Sequence, residues 1–240
     1  VDIDTEKLDL VKIRQDLMFN KYAPDYHTDD KSVKIGLNSS LLTYNVFPLY
    51  YNFFGLLGCR VIVPDKMNMD ALNRQTTSFC YPAQISICYF DTLISKNPDY
   101  YFIPQLRELY VEKGNQKQDF CATCIFSQGE SYWLNSVFKD KKIKDKIINP
   151  TINFRKGYES QENVFVEIAG KLKLSRVKAR IAYKKAVRIQ KEFETEIREI
   201  GRKALEELRK EPEKFAIVLF GRPHNAFTNE ANKGIPKKIA

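Results

Sequence analysis

An α/β fold, with a parallel sheet flanked by helices, is what this 240-residue sequence predicts. Short apolar runs recur without polar alternation, helix-length amphipathic stretches separate them, and Pro or Gly stops most of the pieces. Residues 1–32 read as an acidic, then mixed, arm. A short amphipathic helix is expected there over 8–18, carried by Leu8, Val11, Ile13 and Leu17, before the turn-rich Lys21-Tyr22-Ala23-Pro24-Asp25. Val33 to Leu37 is the first strand. Asn38-Ser39-Ser40 reads as an N-cap cluster for a helix over 41–57 that Gly58 ends. Arg60 to Val63, stopped by Pro64, and Tyr100 to Ile103, stopped by Pro104, are the next two strands, with a helix over 85–94 between them and another over 132–138.

The stretch from Lys139 to Lys210 is different in character. It holds 21 basic and 11 acidic residues, so nearly all of the net charge of +9 sits there. Leu174 to Leu208 is predicted as one long helix whose apolar face runs through Val177, Ile181, Ala186, Ile189, Phe193, Ile197, Ile200, Ala204 and Leu208. After Pro212, Phe215-Ala216-Ile217-Val218-Leu219-Phe220 reads as a doubly buried strand, and Ile235 starts a helix. The expected organisation is an arm (1–32), an α/β domain with candidate ligand cysteines (33–150), a helical, basic connecting region (151–212) and the start of a second α/β unit (213–240).

Composition narrows the function classes. An apolar fraction of 43% and a mean hydropathy of −0.42 exclude general disorder. No apolar stretch reaches the roughly 20 residues that cross a bilayer, and Val46 to Leu57 is broken by Pro48, Asn52 and Gly55. The acidic start at Val1-Asp2-Ile3-Asp4 is no export signal, so a cytoplasmic location with reduced thiols is expected; lacking an initiator Met, it reads as a cut from a longer chain. The basic helix suggests nucleic acid, but Glu192, Glu194, Glu196, Glu199, Glu206 and Glu207 interleave with its cations at pairing distances, so a solvated face is the stronger reading.

Five cysteines and two histidines carry the chemistry that remains. Cys59, before a strand, and Cys88, among Ile85, Ile87 and Phe90, read as core. Cys80 precedes Tyr81-Pro82-Ala83, where a helix N-terminus would favour a thiolate ligand or nucleophile; a small buried hydrophobe at a turn is the equal alternative. Cys121-Ala122-Thr123-Cys124 offers two thiols from one turn, but neither a second such pair nor a His pair completes a zinc site, and the polar stretch over 112–119 before it argues against a thioredoxin-like pair. His224 and Arg222 follow a strand end, where open α/β sheets bind ligands; the Arg-Pro pair equally shapes a tight turn. No nucleophile stands beside a base in sequence, so catalysis by this segment alone is not expected.

These pieces resemble a known family. Ile35-Gly36-Leu37-Asn38 with Tyr44 and Pro48, Leu57-Gly58-Cys59-Arg60, Cys80-Tyr81-Pro82-Ala83, Asp99 to Pro104, Cys124 with Gln128-Gly129-Glu130-Ser131-Tyr132, and Gly221-Arg222-Pro223-His224-Asn225 with Asn232-Lys233-Gly234-Ile235-Pro236 are similar to a module of unknown function in long activase-related proteins of the 2-hydroxyacyl-CoA dehydratase system, itself similar to the cluster-binding dehydratase subunits. The resemblance implies a Rossmann- or flavodoxin-like fold and a 4Fe-4S cluster for low-potential electron transfer. It implies as partners an ATP-hydrolysing activase domain or the remainder of the same chain, with acyl-CoA as a candidate ligand. Cys80 and Cys124 match the family's cluster cysteines and Cys121 is an extra thiol; Gln128, Arg222 and His224 join them as candidate cofactor-binding residues. The family's Pro after the second cysteine is Ile125 here, and its later ligand cysteine has no counterpart, so the resemblance implies only part of a site. The alternative is a non-catalytic α/β interaction module that binds no cluster.

Overall fold

The structure, a computed structural model, describes residues 8–75, 80–110 and 121–240. The chain begins with α1 (Leu10–Asp16), whose first turn is capped by the Asp9 carboxylate accepting from the Lys12 amide at 2.9 Å, and runs on as a π-helical turn to Lys21. Then follow β1 (Lys34–Leu37), α2 (Thr43–Leu56), β2 (Arg60–Ile62), α3 (Tyr81–Ser95), β3 (Tyr100–Phe102), β4 (Gln105–Glu108), α4 (Ile125–Gln128), α5 (Glu130–Val137), β5 (Ile147–Ile148) and β6 (Thr151–Asn153). The chain closes with α6 (Glu162–Lys171), α7 (Arg176–Lys210), α8 (Pro223–Ala226), α9 (Asn229–Asn232) and α10 (Ile235–Ile239).

Four parallel strands lie in the order β2-β1-β3-β5, with Ile35 between Val61 and Tyr100 and Phe102 beside Ile148. β4 and β6 continue β3 and β5 as a separate parallel pair. Pro104 and Pro150 lie at the two breaks, where neither can donate to a ladder.

Adjacent residues of β3 point to opposite faces, and so divide the interior. Phe102 joins Ile35, Leu37, the aromatics of α2 and the buried faces of α6 and α7, whereas Tyr101 joins Phe90, Leu93, Leu134 and Phe138 from the α3 and α5 side. The larger layer is centred on Phe165, stacked on Tyr183 with centroids 4.5 Å apart and edge-on to Phe53 at 4.9 Å. Gly36 lets α3 approach: a Cβ there would stand 3.0 Å from Pro98 and 3.1 Å from Leu93.

α2 is kinked at Val46 because Pro48 sits inside it. The backbone groups this frees are taken up by side chains from elsewhere. Gln190 of α7 accepts from the Leu49 amide at 3.2 Å and donates to the Asn45 carbonyl at 2.9 Å, and Arg14 of α1 donates to the Tyr44 carbonyl at 2.6 Å. Burial lowers the Arg14 pKa to about 10. Residues from Phe165 to Phe193 are therefore part of the main core, with α7 packed along both α2 and α6.

Three expectations need correction. The strand expected over 215–220 is not formed: the segment is irregular and Phe215 and Phe220 are 84% and 94% exposed. A strand apolar on both faces needs a sheet to join and layers that cover both faces, and no strand among the described residues pairs with it. The buried face of α7 departs from the predicted one in its first turns, where Val177 and Ile181 are exposed while Ala179, Ala182, Tyr183 and Val187 are buried; Ala186 and Phe193 are buried as predicted, and small residues let α7 lie close against its neighbours. Finally, α2 starts from Leu42 without a side-chain cap, so Asn38-Ser39-Ser40 is not an N-cap cluster. Its polar groups are used elsewhere.

Candidate functional site

In the order β2-β1-β3-β5 the connections leave β1 to one side and return on the other, so the crevice beyond the C-terminal ends of β1 and β3 is the topological switch point. The chain leaving β1 enters it as Asn38-Ser39-Ser40-Leu41, all four buried, and turns at Leu41 with a left-handed φ of 41°. Such a backbone costs a non-glycine residue about 1 kcal/mol or more.

At the centre of this crevice is Glu130, the first residue of α5, 7% exposed. Its Oε1 accepts from Ser40 Oγ at 2.5 Å, from Ser86 Oγ of α3 at 2.7 Å and from Asn38 Nδ2 at 3.4 Å. Asn38 also donates to the Ser86 carbonyl at 3.2 Å. Burial raises the Glu130 pKa above the usual carboxylate value, against these three hydrogen bonds, which lower it. Nearby, Asn38 Oδ1, Ser127 Oγ and Tyr50 Oη are buried without a partner among the described residues, and burial, the largest cause, pushes the Tyr50 phenol well above its ordinary value.

The candidate cysteines flank this network. Cys80 is the N-cap of α3 and Cys124 the N-cap of α4, both extended, half-buried and without a side-chain capping bond. Cys121 is buried beside β4, its carbonyl accepting from the Leu109 amide at 3.1 Å. Gln128 turns back on this loop and donates to the Thr123 carbonyl at 3.1 Å, so its amide braces the turn between the two cysteines. Cys59 and Cys88 lie in the core as expected, with burial pushing their thiols up to about 12 and about 11. Among the described residues no group of three or more His, Cys, Asp or Glu side chains is placed to hold a metal ion, so Cys80, Cys121 and Cys124 do not make a closed site by themselves. The stretch over 112–119 lies outside the described residues.

The C-terminal segment reaches the same place. Tyr89 of α3 donates to Glu230 Oε1 at 2.6 Å, Tyr81 donates to the Glu230 carbonyl at 3.2 Å, and Lys233 lies 4.3 Å above the Tyr81 ring while bonding its hydroxyl. The tail thus sits on the first turn of α3, next to Cys80. Arg222, exposed, is the N-cap of the short α8, and His224 is buried with Nδ1 unpartnered among the described residues, its pKa lowered by burial and by Arg222. His224 does not join the cysteines in a metal-binding group.

The Glu130 network escaped sequence reading. Its only trace was two polar stretches, Asn38-Ser39-Ser40 directly after an apolar strand and Gln128-Gly129-Glu130-Ser131 at a helix start. The basic face of α7 behaves as its charge pattern suggested: Arg180 meets Glu162 at 3.0 Å, Lys21 meets Glu196 at 2.7 Å, Arg188 meets Glu192 at 3.4 Å, and Arg202 pairs with Glu199 and Glu206. No helix among the described residues is long and apolar enough to cross a membrane.

A family model described as a CoA enzyme activase uncharacterised domain matches residues 34–240. No curated protein and no solved structure matches the chain.

Proposed function

Since the chain belongs to the family of the CoA enzyme activase uncharacterised domain, we propose that it is part of an iron-sulfur electron-transfer protein related to the ATP-dependent activation of 2-hydroxyacyl-CoA dehydratases. Its partner in this reading is an ATP-hydrolysing activase domain, in trans or in the same polypeptide. Cys80 and Cys124 supply two thiolate ligands at the C-terminal edge of the sheet, and Cys121 is held in reserve beside them. The observation that supports this is that the two helices the cysteines cap are joined through one hydrogen bond: Ser86 and Glu130, 2.7 Å apart, each lie six residues beyond one of the cysteines.

A 4Fe-4S cluster normally takes four cysteine ligands, and among the described residues no group of three or more His, Cys, Asp or Glu could hold a metal ion, so they supply no full set. When bound, the cluster would supply low-potential electron transfer. The chain's own part is to fix the two thiols, to keep water from the edge through the tail packed on Tyr81 and Tyr89, and to offer Arg222 as a positive charge toward an acyl-CoA phosphate. A second reading, an interaction module that binds no cluster, is favoured by the lack of a three-ligand group among the described residues.

Anaerobic reconstitution with iron and sulfide separates the two. The expected result is bound iron with the broad visible absorbance of a thiolate-ligated cluster, lost in Cys80→Ala and in Cys124→Ala. Iron content unchanged in the double variant would sink the cluster reading.

A further inference from the structure

We infer that Glu130 is a positioning residue that locks Cys80 and Cys124 into one mutual arrangement. The inference rests on the proposal that these two thiols form one site, and it adds what holds them there.

Three chain segments meet at this carboxyl. Ser40 belongs to the loop after β1, Ser86 to the second turn of α3, and Glu130 itself begins α5. At a rise of about 1.5 Å per residue, Ser86 lies about 9 Å along the helix from Cys80. On the other side the backbone from Cys124 to Glu130 is continuous through α4: the Gln128 amide donates to the Cys124 carbonyl at 3.1 Å, the Gly129 amide to the Ile125 carbonyl at 3.0 Å and the Trp133 amide to the Gly129 carbonyl at 3.2 Å. Each thiol therefore sits at the end of a short hydrogen-bonded lever whose other end is fixed to Glu130. Asn38 bridges the levers again through its bonds to Ser86 and Glu130.

Burying a carboxyl group among hydroxyls, with no cation among the described residues facing it, is costly unless the arrangement it enforces is needed. Ser86 takes part in no cap and Ser40 in no turn that would need a carboxylate acceptor. The partners have in common that they join α3, α5 and the β1 loop. The effect of Glu130 on the cysteines is through geometry, carried by its bonds to Asn38, Ser40 and Ser86.

Dipolar electron paramagnetic resonance tests this without a cluster. Cys80 and Cys124 are spin-labelled under native conditions in a Cys121→Ala protein, because Cys59 and Cys88 are buried with thiols pushed up to about 12 and about 11. With Glu130 present a single narrow inter-label distance is expected. Glu130→Ala should broaden or split it, Ser86→Ala should do so without touching the carboxyl, and Glu130→Gln, which keeps an acceptor oxygen for both hydroxyls, should restore the narrow distribution. An unchanged distribution in a folded Glu130→Ala protein overturns the inference; if that variant does not fold, an unchanged distribution in Ser86→Ala overturns it equally. A narrow distance in a protein that takes up no iron would remove the cluster proposal and leave the positioning role standing.

Discussion

Two buried polar groups, Gln190 and Glu130, sit on opposite sides of α2's role in the fold, and they differ in what they answer to. Gln190 repairs a backbone: Pro48 opens α2, and the amide of Gln190 supplies both a donor and an acceptor to the Asn45 carbonyl and the Leu49 amide. Both clusters leave atoms unpartnered, Asn45 Oδ1 and Arg14 Nη1 in one, Asn38 Oδ1, Tyr50 Oη and Ser127 Oγ in the other. The Glu130 carboxyl, however, accepts among the described residues only from side chains, repairs no break in the backbone, and has no cation among those residues beside it. A neutral amide explained by a kink is architecture; a carboxyl that no local fault explains is what the positioning role inferred above would account for.

The contrast predicts different responses to mutation, and the largest belongs to Gln190. Gln190→Leu leaves the Leu49 amide and the Asn45 carbonyl buried without partners, and at about 1–3 kcal/mol for each such group the protein should lose about 3 kcal/mol in urea denaturation. Pro48→Ala lets α2 close its own hydrogen bond, so in that background Gln190→Leu should cost much less. An equal cost in both backgrounds would show that Gln190 does not repair the kink.

Glu130 should show a smaller effect, carried by pH. Its folded pKa lies above the ordinary value of 4.5, raised by burial. The folded protein therefore holds this proton more tightly than the unfolded chain. Stability from this group is full below 4.5 and is lost as pH rises through the folded value. Glu130→Gln, permanently neutral, removes that loss, so its stability relative to the parent should rise between acid pH and neutrality. Parallel stability curves for the two proteins across that range would mean that the carboxyl is not strained by burial, and would bring Glu130 closer to the purely architectural Gln190.

How much of this could be read beforehand depended on the range of the interactions. β1, β2 and β3 were legible because their apolar runs are short, continuous and stopped by Pro or a polar cluster. β5 and β6 were not: two and three residues beside a Lys-rich stretch carry no period, and only pairing with β3 and β4 makes them strands. Residues 215–220 show the converse, a strand-like hexamer left irregular because strand formation is decided by neighbours as much as by propensity. The same division runs through the site. Cys80 was legible at a helix start because Pro82 marks the first turn. Glu130 was not, because its burial is created by Ser40 and Ser86, 90 and 44 residues away in sequence.

The smallest effect is expected where charge is most abundant. Arg202 of α7 bridges Glu199 and Glu206 on an open helix face, and the hydrogen bonds from the guanidinium hold the Glu199 carboxyl below its ordinary range. Solvent and salt screen such a pair, and ordering three long side chains offsets most of the attraction. Arg202→Ala should therefore leave the denaturation midpoint within error, while Gln190→Leu and Glu130→Gln both move it. If Arg202→Ala moved the midpoint as far as Gln190→Leu, the exposed end of α7 would be bearing load as a folded partner of the core, and the distinction between a buried polar group with a structural cause and a solvated charge pattern would have to be redrawn for this helix.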